Sequence, residues 1–293
     1  MVGVPVQDVT LLDRQPLHAG TFPKEVVRVC VGGAETRYFC KYSAARDPAF
    51  GHRGGVRYEA AVYRDVLSPF AVSAPRLVGS LVRPGVEWLV LEHLDDAERL
   101  SERYDQLPTV AAWLGRFHAL SDRAPEMGSG LVRYDLDYYR GWAERTLTIA
   151  GQLGRWAAWL QDLCDWYLDT APLLADGPKT LIHGEFTIHN VLITASEVVP
   201  VDWESTAVGA GEIDLRCLVD NWPPATVDAC TTAYVRARWS DAPPEHFVTR
   251  SQVAELYLHL RWLGESPDLT LGPKRIWRFD RLRSMAEELG LHG

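Results

Sequence analysis

The period of the apolar residues changes partway along the chain. Residues 26–31 and 36–41 are β-prone runs separated by Gly32-Gly33, which predicts a hairpin. Residues 56–67 carry apolar side chains at helical spacing. Two further strands are predicted over 76–82 and 86–92, joined at Pro84-Gly85. Beyond Glu92 the helical period dominates. Helices are predicted over 108–120, with Pro108 in the first turn, then over 138–150 and 155–168. A short β island spans 180–201, and the remainder is helical, punctuated by Pro223-Pro224 and Pro243-Pro244. The pattern predicts an α+β chain with a small β-rich lobe over residues 1–92 and a larger helical lobe over 93–293. A length of 293 residues suits two packed lobes better than one core.

Composition narrows the classes of function. Hydrophobic residues make up 47% and charged residues 24%, as in an ordinary globular protein. No apolar run is long enough to span a bilayer, so no membrane partner is expected. Residues 1–5 lack the basic region and apolar core of a secretory signal, and a cytoplasmic protein is expected. The five cysteines are scattered and contain no Cys-x-x-Cys pair, which predicts buried, reduced thiols. A net charge of −9 argues against a nucleic-acid partner and is compatible with a cationic small-molecule substrate.

The chemistry concentrates in Leu181-Ile182-His183-Gly184-Glu185-Phe186-Thr187-Ile188-His189-Asn190 and, after the next strand, Asp202-Trp203-Glu204. Phosphoryl transfer from ATP needs a carboxylate near the attacking hydroxyl. It also needs an amide oxygen and a second carboxylate for the Mg²⁺ that bridges the phosphates. Glu185 and Asn190 stand at the spacing of the catalytic acid and metal-binding Asn of the protein-kinase loop, and Asp202 ends the following strand. The expected roles are therefore Glu185 at the acceptor hydroxyl, with Asn190 and Asp202 on metal.

These motifs resemble the aminoglycoside phosphotransferase and choline-kinase-like family, whose fold is a variant of the protein-kinase fold. The resemblance rests on His183-Gly184-Glu185…Asn190, on Asp202-Trp203-Glu204, and on the loop Gly209-Ala210-Gly211-Glu212-Ile213-Asp214-Leu215. It implies a two-lobed, ATP- and Mg²⁺-dependent enzyme that phosphorylates a hydroxyl of a small molecule: an antibiotic, amino alcohol, sugar or biosynthetic intermediate. In such a site Lys41, on a strand, contacts the α/β phosphates and is oriented by Glu59 in the first helix. The phosphate-covering loop would be residues 18–23. The adenine edge would meet the backbone of Leu91-Glu92-His93-Leu94, so Glu92 and Leu94 are cofactor-site residues. Backbone reading of this kind admits GTP as well as ATP.

The chain departs from the family at Glu185, where Asp is usual. The two carboxyls differ in reference pKa by only ~0.4 unit, so Glu185 can serve as base if the added methylene is accommodated. The alternatives are a catalytically degenerate, nucleotide-binding kinase-like protein and a related nucleotidyl transfer. His183 reads as a brace for the loop, because no third zinc ligand stands nearby. Asp214 is expected to hold the loop backbone and Glu204 to stabilise its own loop. His118 is expected to be packed in its helix. Trp159 and Trp166 share a face of one predicted helix, which marks core. Trp222, beside Asp220, and Trp262 fall where the family builds its acceptor pocket, and core packing is the competing role for each.

Overall fold

Gly32 and Gly33 both take positive φ, +57° and +85°, the geometry of a tight hairpin turn, and join two strands of a five-stranded antiparallel sheet. The computed structural model describes residues 9–18, 22–43, 53–152, 154, 158–240 and 242–291. The sheet comprises Val9–Leu17 (β1), Lys24–Val31 (β2), Ala34–Tyr42 (β3), Leu77–Arg83 (β4) and Val86–Glu92 (β5), in the order β1-β2-β3-β5-β4. The helix Gly55–Val62 (α1) follows β3 and continues into a single π-helical turn over Tyr63–Leu67. Five shorter strands are described farther along: Glu98–Arg99 (β6), Thr180–Ile182 (β7), Val191–Ile193 (β8), Val198–Pro200 (β9) and Ala207–Gly209 (β10).

The chain divides into two compact units. The first comprises Met1–Tyr104 with Ile188–Ser205 and holds the five-stranded sheet, α1 and a small sheet ordered β6-β8-β9. Residues 93–104 and 188–205 belong to this first unit, where β6 pairs with β8. Val56, Ala60 and Val62 of α1 are buried with Leu89 and Leu91 of β5. β1 is exposed along nearly its whole length and pairs only with β2, as an edge strand does.

The second unit comprises Asp105–Thr187 with Thr206–Gly293. Its helices are Leu107–Arg123 (α2), Leu136–Gln152 (α3), Ala158–Thr170 (α4), Pro172–Ala175 (α5), Glu212–Leu218 (α6), Pro224–Trp239 (α7), Phe247–Glu265 (α8), Pro267–Thr270 (α9) and Trp277–Glu288 (α10). β7 and β10 pair antiparallel. The core gathers Trp142 of α3, Leu163 and Tyr167 of α4, Leu256 and Tyr257 of α8, and Leu282 of α10. Trp159 and Trp166 pack half-buried against it, as their shared face predicts. α2 and α7 approach closely at Gly115, where a Cβ would stand 2.5 Å from the Tyr234 carbonyl oxygen. The cysteines are free; Cys40, Cys164, Cys217 and Cys230 are buried, and burial raises the Cys164 thiol to about 12. No helix among the described residues is long and apolar enough to cross a membrane.

Candidate active site

Register alone selects the side chains that face the first unit's cavity. Cross-strand partners share a sheet face, and Leu17 pairs with Lys24, which pairs with Lys41, while Val26 pairs with Phe39, which pairs with Leu91. All six line a cavity of about 290 Å³. Glu92 and Leu94 line it too, directly after β5. Glu92 is also held at its side chain, which accepts from the Arg76 N–H at 2.7 Å. The expected phosphate-covering loop lies partly outside the described residues, at 19–21.

Lys41 is 4% exposed and its ammonium bonds three carboxylates: Glu59 at 2.7 Å, Glu204 at 2.8 Å, and Asp202. Burial alone would push its pKa down, but Glu59, Asp202 and Glu204 together hold it above its ordinary value. The three carboxyls thus favour the charged ammonium over the neutral amine. Glu59 is fixed a second time, accepting from the Trp203 N–H at 3.1 Å. Burial raises the Glu204 carboxyl to about 7 against the opposing pull of Lys41. Glu204 is thus a direct partner of Lys41, a closer tie than the loop-stabilising part its position suggests.

Asn190 and Asp202 flank the β8–β9 hairpin, Asn190 just before β8 and Asp202 just after β9. The Val201 N–H donates to the Asn190 carbonyl at 2.9 Å and closes the base of the hairpin. Asp202 takes φ +70°, a left-handed conformation that Asp tolerates better than most residues and that costs of order 1–3 kcal/mol when imposed. Both residues line the same cavity. Lys41, Glu59, Glu92, Leu94, Asn190 and Asp202 thus converge on one site within the first unit. Lys24, Arg99 and His189 line the site as well and were not singled out by any sequence motif.

Asn190 and Asp202 place an amide and a carboxylate, oxygen donors of the kind a hard divalent cation takes, on the cavity wall. Oxygens of Glu59, Asp202 and Glu204 lie within 4.8 Å of one another. Lys41 sits among the three carboxyls, and Arg53 lies 3.6 Å from Glu204. Asp202 is the accessible member, with its side chain 32% exposed, while Glu59 and Glu204 are buried against Lys41.

Glu185 belongs to the second unit, on the loop after β7. The loop turns at Gly184, φ +84°. Asp214, fully buried on α6, accepts from the His183 N–H at 2.6 Å and the Gly184 N–H at 2.9 Å, the part the resemblance assigns to it. His118 stands behind it, with Nε2 3.4 Å from Asp214 and Nδ1 2.9 Å from the Tyr234 hydroxyl, packed as its helix predicts. His183 Nδ1 in turn accepts from the Glu185 N–H at 3.3 Å, which makes it a brace. Glu185 is 7% exposed, and Arg261 of α8 lies 3.5 Å from its carboxylate, a contact no local pattern announces.

A second cavity, of about 590 Å³, opens in the second unit between α6, α8 and α10. Asp220, Trp222, His259 and Trp277 line it. Asp220 is bonded by Arg278 at 2.5 Å, and the Arg278 guanidinium stacks over Trp262 at 4.8 Å and Trp277 at 4.5 Å. Of the aromatic-plus-acid pattern read from Trp222, Asp220 and Trp262, Asp220 and Trp262 are thus engaged by Arg278.

Residues 26–247 match the model of the phosphotransferase enzyme family, APH. No curated protein matches the chain significantly in sequence. Among solved structures, choline kinase LicA from Streptococcus pneumoniae aligns at 12% identity over 95% of this chain and 94% of that chain, with a TM-score of 0.66. An aminoglycoside-3′-phosphotransferase of type VIII aligns at 20% identity over 85% and 94%, TM-score 0.56. Amicoumacin kinase hAmiN, solved with AMP-PNP, Ca²⁺ and Ami, aligns at 14% identity over 97% and 89%, TM-score 0.63. The likeness establishes the α+β, protein-kinase-like fold. With three quarters of its length under the family model, the chain belongs to the phosphotransferase enzyme family.

Proposed function

We propose that the chain is a small-molecule kinase that moves the terminal phosphoryl group of ATP, carried with Mg²⁺, onto a hydroxyl of a soluble acceptor. The observation that carries this reading is the Lys41 ammonium, held charged by Glu59, Asp202 and Glu204 on the wall of the 290 Å³ cavity. A buried cation with its orienting carboxylates is what the α/β phosphates of a nucleotide require. The segment around Glu92 and Leu94 offers backbone to the base, and this mode admits GTP. Asn190 and Asp202 would hold the cation, which when bound neutralises phosphate charge.

Glu185 takes the proton of the acceptor hydroxyl as its oxygen bonds to phosphorus and the bond to the nucleotide diphosphate breaks. Asp214 and His183 keep the loop rigid for that step. We assign the acceptor to the second unit, which carries Glu185 and its braced loop. The two halves of the reaction are thereby assigned to the two units. The solved relatives are named as kinases of choline, aminoglycosides and amicoumacin, which makes hydroxylated amines and antibiotics the first compounds to screen. The test is ATP consumption and mass gain across such a panel, with and without Mg²⁺. Nucleotide binding with no transfer to any acceptor would favour the non-catalytic alternative.

A further inference from the structure

Arg261 lies on α8 and is fully buried, where a guanidinium is costly unless anions and carbonyls surround it. Its Nη1 donates to the Gly184 carbonyl at 3.1 Å, and its Nη2 stands 3.5 Å from Glu185 Oε1. Its Nε and Nη2 have no hydrogen-bond acceptor among the described residues. One guanidinium therefore touches both the backbone just before Glu185 and the carboxylate itself. Asp214 grips the same loop by its N–H groups, so residues 183–185 are held between a buried anion and a buried cation.

This arrangement gives the unusual glutamate a physical reason. An aspartate on the same backbone would place its carboxylate about 1.5 Å farther back, one carbon–carbon bond. At roughly 5 Å from Arg261 it would fall outside ion-pair range. Groups of the second unit that act on Glu185 include Tyr257 and Arg261 of α8, Cys217 of α6 and His183 of its own loop.

We propose that Arg261 is a positioning residue: it draws the Glu185 carboxylate toward α8, absorbing the extra methylene, so that in this chain glutamate outperforms aspartate at position 185. The inference rests on the phosphotransferase reading for its catalytic consequence, but the pairing itself does not.

The test uses the full chain with Glu185→Asp, Arg261→Met and Arg261→Lys. The Glu185 carboxyl is titrated by ¹³C NMR, assigned by its loss in Glu185→Gln. Its pKa should rise in Arg261→Met and return toward wild type in Arg261→Lys, which keeps the charge. With an acceptor in hand, Glu185→Asp and Arg261→Met should each lower kcat on the order of 10- to 100-fold with KM for ATP unchanged. The double variant should be little worse than either single one. An unmoved Glu185 titration in Arg261→Met, or a Glu185→Asp enzyme as fast as wild type, overturns the inference. If Arg261→Met does not fold, Glu185→Asp and Arg261→Lys carry the test with Arg261's charge in place. A shifted titration in a chain that phosphorylates nothing would leave the pairing standing and remove the phosphotransferase reading.

Discussion

Asp214→Asn isolates the clamp beneath the Glu185 loop. The side chain is fully buried and receives two backbone N–H groups, at 2.6 and 2.9 Å. Hydrogen bonds to a charged group contribute ~1.5–3 kcal/mol each, and a buried donor left without an acceptor costs ~1–3 kcal/mol. An asparagine has one oxygen for two donors. It keeps one bond in weaker neutral form and turns its NH₂ toward the other N–H. The His118 contact at 3.4 Å is too long to add much. The loss therefore sums to roughly 3–5 kcal/mol, a large part of the stability of a typical domain. For a unit of this size that corresponds to a fall in Tm on the order of 10 °C. Two assays read it: thermal unfolding, and amide hydrogen exchange at His183 and Gly184, where protection should drop first. Turnover should fall as the loop loses its fixed shape. A variant that melts within about 1 kcal/mol of wild type, with both amides still protected, would show that Asp214 does not hold the loop.

Three further outcomes follow from particular contacts. Lys41→Met strands the buried Glu59 and Glu204 carboxylates and should cost about 3–5 kcal/mol in denaturant unfolding, together with nucleotide affinity; Glu59→Gln added to it should recover part of the stability. Gly115→Ala forces a Cβ against the Tyr234 carbonyl at the α2–α7 contact and should destabilise by about 1–3 kcal/mol, seen as a lower Tm with nucleotide binding retained. Burial, with Arg278, Arg281 and Arg216 nearby, pushes His259 well below its ordinary pKa. Its folded form stays neutral while the unfolded chain takes up a proton below about pH 6.5, so stability falls as pH drops, by up to ~1.4 kcal/mol per unit. His259→Leu should flatten that acid slope, and an unchanged slope would refute the burial of a neutral imidazole.

The strands and helices were legible where one face is buried and the period is clean. The β2–β3 hairpin announces itself by two glycines, and α2 by its early proline. β1 escaped because it is an edge strand exposed on both faces, so it carries no buried alternation to detect. β10 is only three residues long, too short for a period. Lys41, Glu59, Asn190 and Asp202, chosen from their spacing along the chain, all line one cavity. Partners set by tertiary packing were not legible in this way. Arg261 stands far from Glu185 in sequence, in a helix whose pattern reads simply as buried. Lys24 faces the cavity only because its register matches that of Lys41. Glu204 was visible in the Asp202-Trp203-Glu204 motif, but its bond to Lys41 joins residues 163 positions apart, which no local motif announces.

The proposed kinase reading requires the first unit's cavity, with Lys41 and Asp202 on its wall, to hold ATP for transfer. The most direct measurement is mass spectrometry of acceptors incubated with ATP, Mg²⁺ and either wild type or Asp202→Ala, each checked for folding by circular dichroism. Wild type should yield an acceptor carrying one added phosphoryl group, and a folded Asp202→Ala none. Equal phosphorylation by both proteins would rule out that role for Asp202.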